Sequence, residues 1–98
     1  MTKSLSTAWL VGEPDVVSCE LAGGAALLDL RCSKYFSLNR VAAVLWEKLS
    51  QPIQFAALRD GIVEQFLVSP EECERDLTEI LETFRDNGLI RFADAPPA

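Results

Sequence analysis

Cysteines and carboxylates are the side chains of this sequence that could carry out chemistry. The three cysteines, Cys19, Cys32 and Cys73, form no Cys-x-x-Cys pair, and the chain has no histidine to generate a thiolate or to bind zinc. Their odd number also argues against a disulfide framework. We therefore predict that Cys19 and Cys73 are small buried side chains, and we assign no role to Cys32.

Acidic residues near the C-terminal end are spaced by one helical turn. Glu72 with Asp76, and Asp76 with Glu79, have a spacing that suits an acid–base pair or a hard cation. No glycine-rich phosphate loop, nucleophile motif or metal-ligand spacing accompanies them, and acidic side chains on a helix usually form a solvated face. The sequence therefore predicts no enzyme activity, no catalytic residue, no cofactor and no metal site.

The size and charge of the chain limit the classes of protein it can belong to. Its 98 residues suffice for one domain, and no apolar stretch approaches the ~20 residues that span a bilayer. The start of the chain lacks the features of a signal peptide, so we expect a cytoplasmic protein without a membrane partner. The net charge of −6 also disfavours a nucleic-acid partner.

Residues 16–38 predict a three-stranded antiparallel meander. Apolar and polar residues alternate along the first two strands, Gly23-Gly24 permits a tight reversal between them, and Tyr35–Leu38 forms the third strand. The apolar positions of the first two strands, which we expect to face the core, are Val17, Cys19, Leu21, Ala26, Leu28 and Leu30.

Three helices follow the meander. Asn39 is placed to cap the first helix, and Phe55–Phe66 has the apolar spacing of the second. The third helix begins with a capping box at Ser69-Pro70-Glu71-Glu72 and ends at Asn87-Gly88. The apolar stripe of the third helix is Cys73, Leu77, Ile80, Leu81 and Phe84. The predicted fold class is α+β, a three-stranded antiparallel meander followed by three helices, resembling a winged helix-turn-helix. Residues 1–15 are an N-terminal arm or short strand, 16–92 the domain with a last short strand at Leu89–Phe92, and 93–98 a flexible tail.

The helix-turn-helix outline raises the possibility of a DNA-binding regulator, and the charges oppose it. Residues 60–86 hold nine acidic side chains and two arginines, a local net charge of −7. A recognition helix needs basic groups for phosphates. A peptide-binding module is favoured instead, because Tyr35–Leu38 ends the meander and one edge of that strand is expected to have no neighbour. Phe36 and Leu38 share one face, which favours core positions, whereas Tyr35 is an amphipathic aromatic at the edge.

Six short motifs, in order and spacing, resemble the PqqD-like proteins, also called precursor-peptide recognition elements of ribosomally synthesised, modified peptides. They are Leu27-Leu28-Asp29-Leu30-Arg31, Tyr35-Phe36-Ser37-Leu38-Asn39, Trp46-Glu47-Lys48-Leu49, Ser69-Pro70-Glu71-Glu72, Asp76-Leu77 and Asn87-Gly88-Leu89-Ile90. The likeness covers about residues 16–92. The sequence departs from the family pattern at Ser33, where glycine is usual in the turn before the third strand.

The resemblance implies non-catalytic binding of a precursor's leader segment as an extra strand beside Tyr35–Leu38, in a groove walled by the third helix. The peptide-binding residues it implies are Tyr35, Phe36, Ser37, Leu38, Asp76, Ile80, Thr83 and Phe84. A chain this short is most similar to the stand-alone leader-binding B protein of split lasso-peptide systems, which serves a leader peptidase and a macrolactam cyclase. The alternative is a PqqD-type peptide chaperone for a radical SAM enzyme, and a DNA-binding regulator ranks last.

Overall fold

A computed structural model describes residues 8–93 and places six strands and three helices around one core. Residues 1–7 of the predicted arm and 94–98 of the predicted tail lie outside the described residues. The predicted meander is confirmed as the antiparallel sheet β2-β3-β4, formed by Val16–Leu21, Gly24–Asp29 and Lys34–Asn39.

A second sheet joins segments that are far apart in the sequence. β1 (Trp9–Gly12) lies between β5 (Ile53–Gln54) and β6 (Ile90–Ala93), and both pairings are antiparallel. The sequence indicated strands at both ends of the domain, but β5 and the pairing of β1 with β6 were not predicted. Two residues are too short to give a periodic signal, and strand partners are selected by tertiary packing.

The three predicted helices are confirmed as α1 (Arg40–Lys48), α2 (Phe55–Phe66) and α3 (Pro70–Asp86). The side chain of Asn39 accepts the N–H of Ala42 at 2.9 Å, and the hydroxyl of Ser69 accepts the N–H of Glu72 at 3.2 Å. Each cap satisfies a backbone donor that the helix itself leaves without a partner. No helix among residues 8–93 has both the length and the apolar character needed to cross a membrane.

Leucines from both sheets and all three helices make up half of the buried core cluster. The fully buried ones are Leu10, Leu27, Leu45, Leu49, Leu58, Leu77, Leu81 and Leu89. Cys73 is also buried, as predicted, and the apolar stripe of α3 packs into this core with Ile80 at its margin. The core therefore holds α3 at a defined position beside the meander, which is what forms the groove described below.

The predicted core face of β2 and β3 is wrong. The inner face of β3 carries Ala25, Leu27 and Asp29, whereas the predicted positions lie on the opposite face. Exposure there is 44% for Val17, 55% for Leu21 and 57% for Leu30, Cys19 is exposed, and Ala26 and Leu28 are half-buried. Alternation shows which residues share a face, but it does not show which face meets the helices.

Asp29 can occupy the inner face of the sheet because Arg31 supplies hydrogen bonds and a positive charge to its carboxylate. Asp29 is 3% exposed and accepts hydrogen bonds from the backbone N–H, Nε and Nη2 of Arg31 at 3.0, 2.9 and 2.9 Å. The same guanidinium donates to the carbonyl of Gly88 at 2.6 Å, which connects the β3–β4 turn to the end of α3. The side-chain hydrogen bond from Arg31 lowers the pKa of Asp29 from 3.8 to about 2.

This lowered pKa predicts how stability depends on pH. A carboxylate with a lowered pKa stabilises the folded state above its unfolded pKa of 3.8, and that contribution is lost as the pH falls toward 2. Replacing Arg31 with alanine is expected to move the midpoint of acid unfolding to higher pH, measured by circular dichroism from pH 7 to 1.5. The control is Arg85→Ala, since Arg85 contacts only the exposed Asp86 at 3.5 Å among salt-bridge partners in residues 8–93. Equal acid midpoints for both variants would contradict the assignment.

Ser33 adopts a backbone conformation that favours glycine. Its φ of +57° is left-handed, and its N–H donates to the carbonyl of Asp29 at 2.8 Å to close the turn before β4. Because side chains disfavour this conformation, Ser33→Gly is expected to raise the free energy of unfolding by about 1 kcal/mol in urea denaturation. Ser50→Gly, at an exposed position without a positive φ, is the control and should give no gain. A loss of stability in the Ser33 variant would rule out this strain.

Candidate functional site

A groove of about 240 Å³ lies between the last strand of the meander and α3. Its lining residues are Ser37, Leu38, Asn39, Ala42, Glu79, Ile80, Thr83 and Phe84. Strand β4 and the start of α1 form one wall, and successive turns of α3 form the other. The last three residues of β4, Ser37 to Asn39, border the groove, so a ligand there lies beside an extended segment of backbone.

The backbone of β4 has hydrogen-bonding groups at the open side of the sheet. Among residues 8–93, β4 pairs only with β3. The N–H of Leu30 donates to the carbonyl of Asp15 at 2.9 Å, which shows which residues of β2 and β3 exchange backbone hydrogen bonds. Because bonding residues alternate in an antiparallel ladder, the even-numbered residues of β3 bond to β2 and the odd-numbered ones to β4. The N–H and C=O groups of Tyr35 and Ser37 therefore point to the free edge.

The floor of the groove is apolar and firmly packed. Phe84 is 3% exposed, and its ring meets the edge of Trp46 at a centroid distance of 5.8 Å and an interplanar angle of 89°. Leu38 and Ile80 are half-buried beside it, so each has part of its surface available to a ligand. Rings held in this way offer a preformed pocket for an apolar side chain.

The rim of the groove is polar and acidic. The hydroxyl of Thr83 donates to the carbonyl of Glu79 at 3.0 Å, so its proton is already used within α3. Glu79 is exposed and forms no salt bridge with any residue in the range 8–93. The carboxylate at the rim is therefore available to a donor on a ligand.

The structure brings together five of the eight predicted residues: Ser37, Leu38, Ile80, Thr83 and Phe84. Tyr35 lies on the outer face of the sheet at 74% exposure, and Phe36 lies on the inner face, half-buried against the core. Asp76 is exposed on α3 and does not line the groove.

Three lining residues were missed as site residues: Asn39, Ala42 and Glu79. Helical spacing could have identified Glu79, because it precedes Thr83 by four residues and so lies on the same side of α3. Asn39 was predicted only as a cap. The position of Ala42 beside α3 depends on how α1 packs, which no local pattern reports.

The groove has the features of a binding site. Across residues 8–93, no group of three or more cysteine, aspartate or glutamate side chains is arranged to hold a metal ion. Burial raises the pKa of the Cys73 thiol, which makes it a poorer nucleophile. What the arrangement offers is main-chain hydrogen bonding along one edge and apolar contact along the other.

Comparison with known proteins identifies the family. The family described as coenzyme PQQ synthesis protein D (PqqD) matches residues 24–90, which include β3, β4 and all three helices. The chain belongs to the PqqD family. This membership confirms the resemblance inferred from the motifs, and it covers both walls of the groove. No curated protein sequence matches the chain.

Two solved structures share the fold. One is described as TbiB1 in complex with the TbiA(beta) leader peptide, with 26% identity and a TM-score of 0.74, covering 83% of this chain and 94% of that one. The other, described as lasso peptide synthetase B1 complexed with the leader peptide, has 23% identity and a TM-score of 0.71. It covers 84% of this chain and 96% of its own, and it supports the fold alone.

Proposed function

We propose that this PqqD-family protein binds the leader segment of a ribosomally made precursor peptide in lasso-peptide biosynthesis, in the cytoplasm, without catalysing a reaction itself. The observation that carries the proposal is the free edge of β4 beside an apolar groove walled by α3. The similarity to TbiB1, which is described in complex with a leader peptide, supports it.

The leader would add as a fourth strand of the meander. Backbone groups of Tyr35 and Ser37 supply the main-chain hydrogen bonds, which are independent of leader sequence. Alternate leader side chains then point into the groove, where apolar ones contact Leu38, Ile80 and Phe84. The remaining side chains lie on the outer face near Tyr35, whose ring is available to cover them.

The acidic residues of α3 would set which leaders are accepted. Glu79 at the rim and Asp76 one turn before Ile80 favour leaders that bring donors or positive charge to this wall, and they repel acidic ones. Because both carboxylates are exposed, we assign affinity to the strand edge and the apolar contacts, and selectivity to the carboxylates.

Truncating Ile80 tests this groove. Ile80→Ala is expected to weaken leader binding by more than about 1 kcal/mol, roughly fivefold or more, because the variant loses apolar contact area at the pocket. Binding is measured by fluorescence anisotropy with the labelled leader of a precursor encoded next to this protein. Leu30→Ala is the matched control, since Leu30 is 57% exposed and lies outside the groove. Equal affinity for the two variants would remove the groove from the proposal.

The enzymes that receive the leader are the finer part of the proposal. We propose a leader peptidase and a macrolactam cyclase, with delivery to a radical SAM enzyme as the alternative. The two are separated by adding this protein to the precursor together with either the peptidase or the radical SAM enzyme. Faster leader cleavage by the peptidase supports delivery to the peptidase and cyclase. If this protein accelerates only the reaction of the radical SAM enzyme, the alternative is supported.

A further inference from the structure

The meander has a second open edge, on the side away from α3. Among residues 8–93, β2 pairs only with β3, and a groove of about 630 Å³ lies between the β2–β3 hairpin and α1. This groove is larger than the one beside β4 and has the same construction: a free strand edge facing a helix. The residues that line it include Ser18, Glu20, Arg40, Val44, Trp46 and Glu47.

The backbone of β2 has unused hydrogen-bonding groups at this edge. The bond from the N–H of Leu30 to the carbonyl of Asp15 places the odd-numbered residues of β2 against β3. The N–H and C=O groups of Ser18 and Glu20 therefore point to the free edge. The backbone of Val16 is oriented in the same way: its N–H points away from β3 and donates to the carbonyl of Glu13 at 3.1 Å. An added strand forms its hydrogen bonds with every second residue of the edge strand, which is the spacing of Ser18 and Glu20.

The helix side of the groove has an indole at its surface. Within the meander, α1 packs mainly against β3 and β4, so the inner face of β2 extends past α1, and Ser18 and Glu20 stay exposed. Trp46 is half-buried and lines both this groove and an adjoining one of about 320 Å³, so an apolar surface continues around its ring. Val44 adds to the same wall.

The charges of the groove identify its occupant. Glu20 from the strand and Glu47 from the helix are exposed and form no salt bridge with any residue between 8 and 93. The one basic lining residue, Arg40, has its guanidinium over the ring of Phe66, 5.8 Å from the centroid. Two carboxylates beside an indole suit a lysine or arginine, whose stem lies on the ring while its charge meets the carboxylates.

We propose that the free edge of β2 is a second strand-addition site, which takes an extended, basic segment of a partner protein. The inward side chains of that segment are lysine or arginine facing Glu20, Glu47 and Trp46. Its outward side chains are apolar, because Val17, Cys19 and Leu21 form the outer face next to the edge. The partner thus meets this protein on the opposite edge of the sheet from the proposed leader groove, and both can be engaged together.

A second copy of this chain fits the edge poorly. Pairing two β2 strands would bring two copies of Glu20 and Glu47 to one interface, in a chain whose net charge is already −6. Like charges at an interface oppose association. The charge pattern therefore selects a basic partner rather than self-association.

The test uses a synthetic seven-residue peptide in which lysine alternates with valine, and a matched peptide with glutamate in place of lysine. Each is titrated into the full-length ¹⁵N-labelled protein while amide chemical shifts are recorded. The lysine peptide is expected to shift the amides of Ser18, Glu20 and Glu47 saturably, and the glutamate peptide is not. A charge-reversed Glu20→Lys, Glu47→Lys double variant is expected to weaken lysine-peptide binding by about tenfold or more.

Proline variants at the two edges separate this site from the leader groove. Ser18→Pro blocks only the free edge of β2 and is expected to abolish the shifts from the lysine peptide, whereas Ser37→Pro is expected to leave them unchanged. Shifts confined to β4, equal binding of both peptides, or unchanged binding in the charge-reversed variant would overturn the proposal, as would a concentration-dependent dimer joined through β2. Loss of the β2 site would leave the leader proposal standing, because leader binding rests on the β4 groove.

Discussion

Replacing Ser37 with proline is expected to abolish leader binding while leaving the domain folded. The N–H of Ser37 points to the free edge of β4, so proline removes no bond to β3, and proline is tolerated at such edge positions. The leader strand, however, loses the N–H donor at position 37, and the proline ring occupies the space that a carbonyl of the leader must enter. We expect affinity to fall by about 100-fold or more, since a lost hydrogen bond and the steric block act together.

The measurement is the leader titration by fluorescence anisotropy, with circular dichroism to verify the fold. Ser18→Pro is the matched control, because it places the same substitution at the other free edge of the same sheet and is expected to keep full leader affinity. Retained leader binding in a folded Ser37→Pro protein would show that the leader does not pair with β4.

Replacing Gly24 with alanine is expected to have the largest effect on stability. A Cβ at this position collides with the carbonyl oxygen of Leu38 and lies 3.1 Å from its carbonyl carbon and 3.3 Å from that of Asn39. These are backbone atoms at the junction of β4 and α1, so relief requires moving the strand rather than turning a side chain. We expect a loss of more than about 2 kcal/mol in the free energy of unfolding, measured by urea denaturation.

Gly23→Ala is the matched control for this effect. Gly23 is the neighbouring turn residue, has nothing within 4 Å of the added Cβ, and has a φ of +81°. Its substitution costs only the backbone strain of a left-handed residue, about 1 kcal/mol. Equal losses for the two variants would mean that the contact with Leu38 is not what requires glycine at position 24.

The helices of this protein are predictable because their signals are local. The caps Asn39 and Ser69 each act on a backbone group three residues ahead, and the stripe of α3 repeats with the period of the helix itself. Family membership was also predictable, since the motifs lie within elements whose order the sequence preserves. The groove residues Ile80, Thr83 and Phe84 were implied by the resemblance to the PqqD-like proteins, and the structure brings them together on one side of α3.

The sequence pattern did not predict which face of the meander packs against the core. Val17, Cys19 and Leu21 alternate as a buried face does, yet they point outward, while Asp29 is buried. The burial of Asp29 depends on the hydrogen bonds of Arg31, two residues away, and on the carbonyl of Gly88, which lies far along the chain. Residue hydrophobicity does not include such compensation.

The sequence by itself determined the three helices and their caps, the strands of the meander, the absence of histidine chemistry and the acidic character of α3, because each depends on residue identity or on neighbours within a turn or two. Only the tertiary structure decided which face of the meander meets the core, how β1, β5 and β6 form one sheet, and which strand edges stay free. Those features depend on contacts between segments tens of residues apart, and the function we propose rests on them: an open β4 edge is a property of the assembled sheet, not of Tyr35–Leu38 alone.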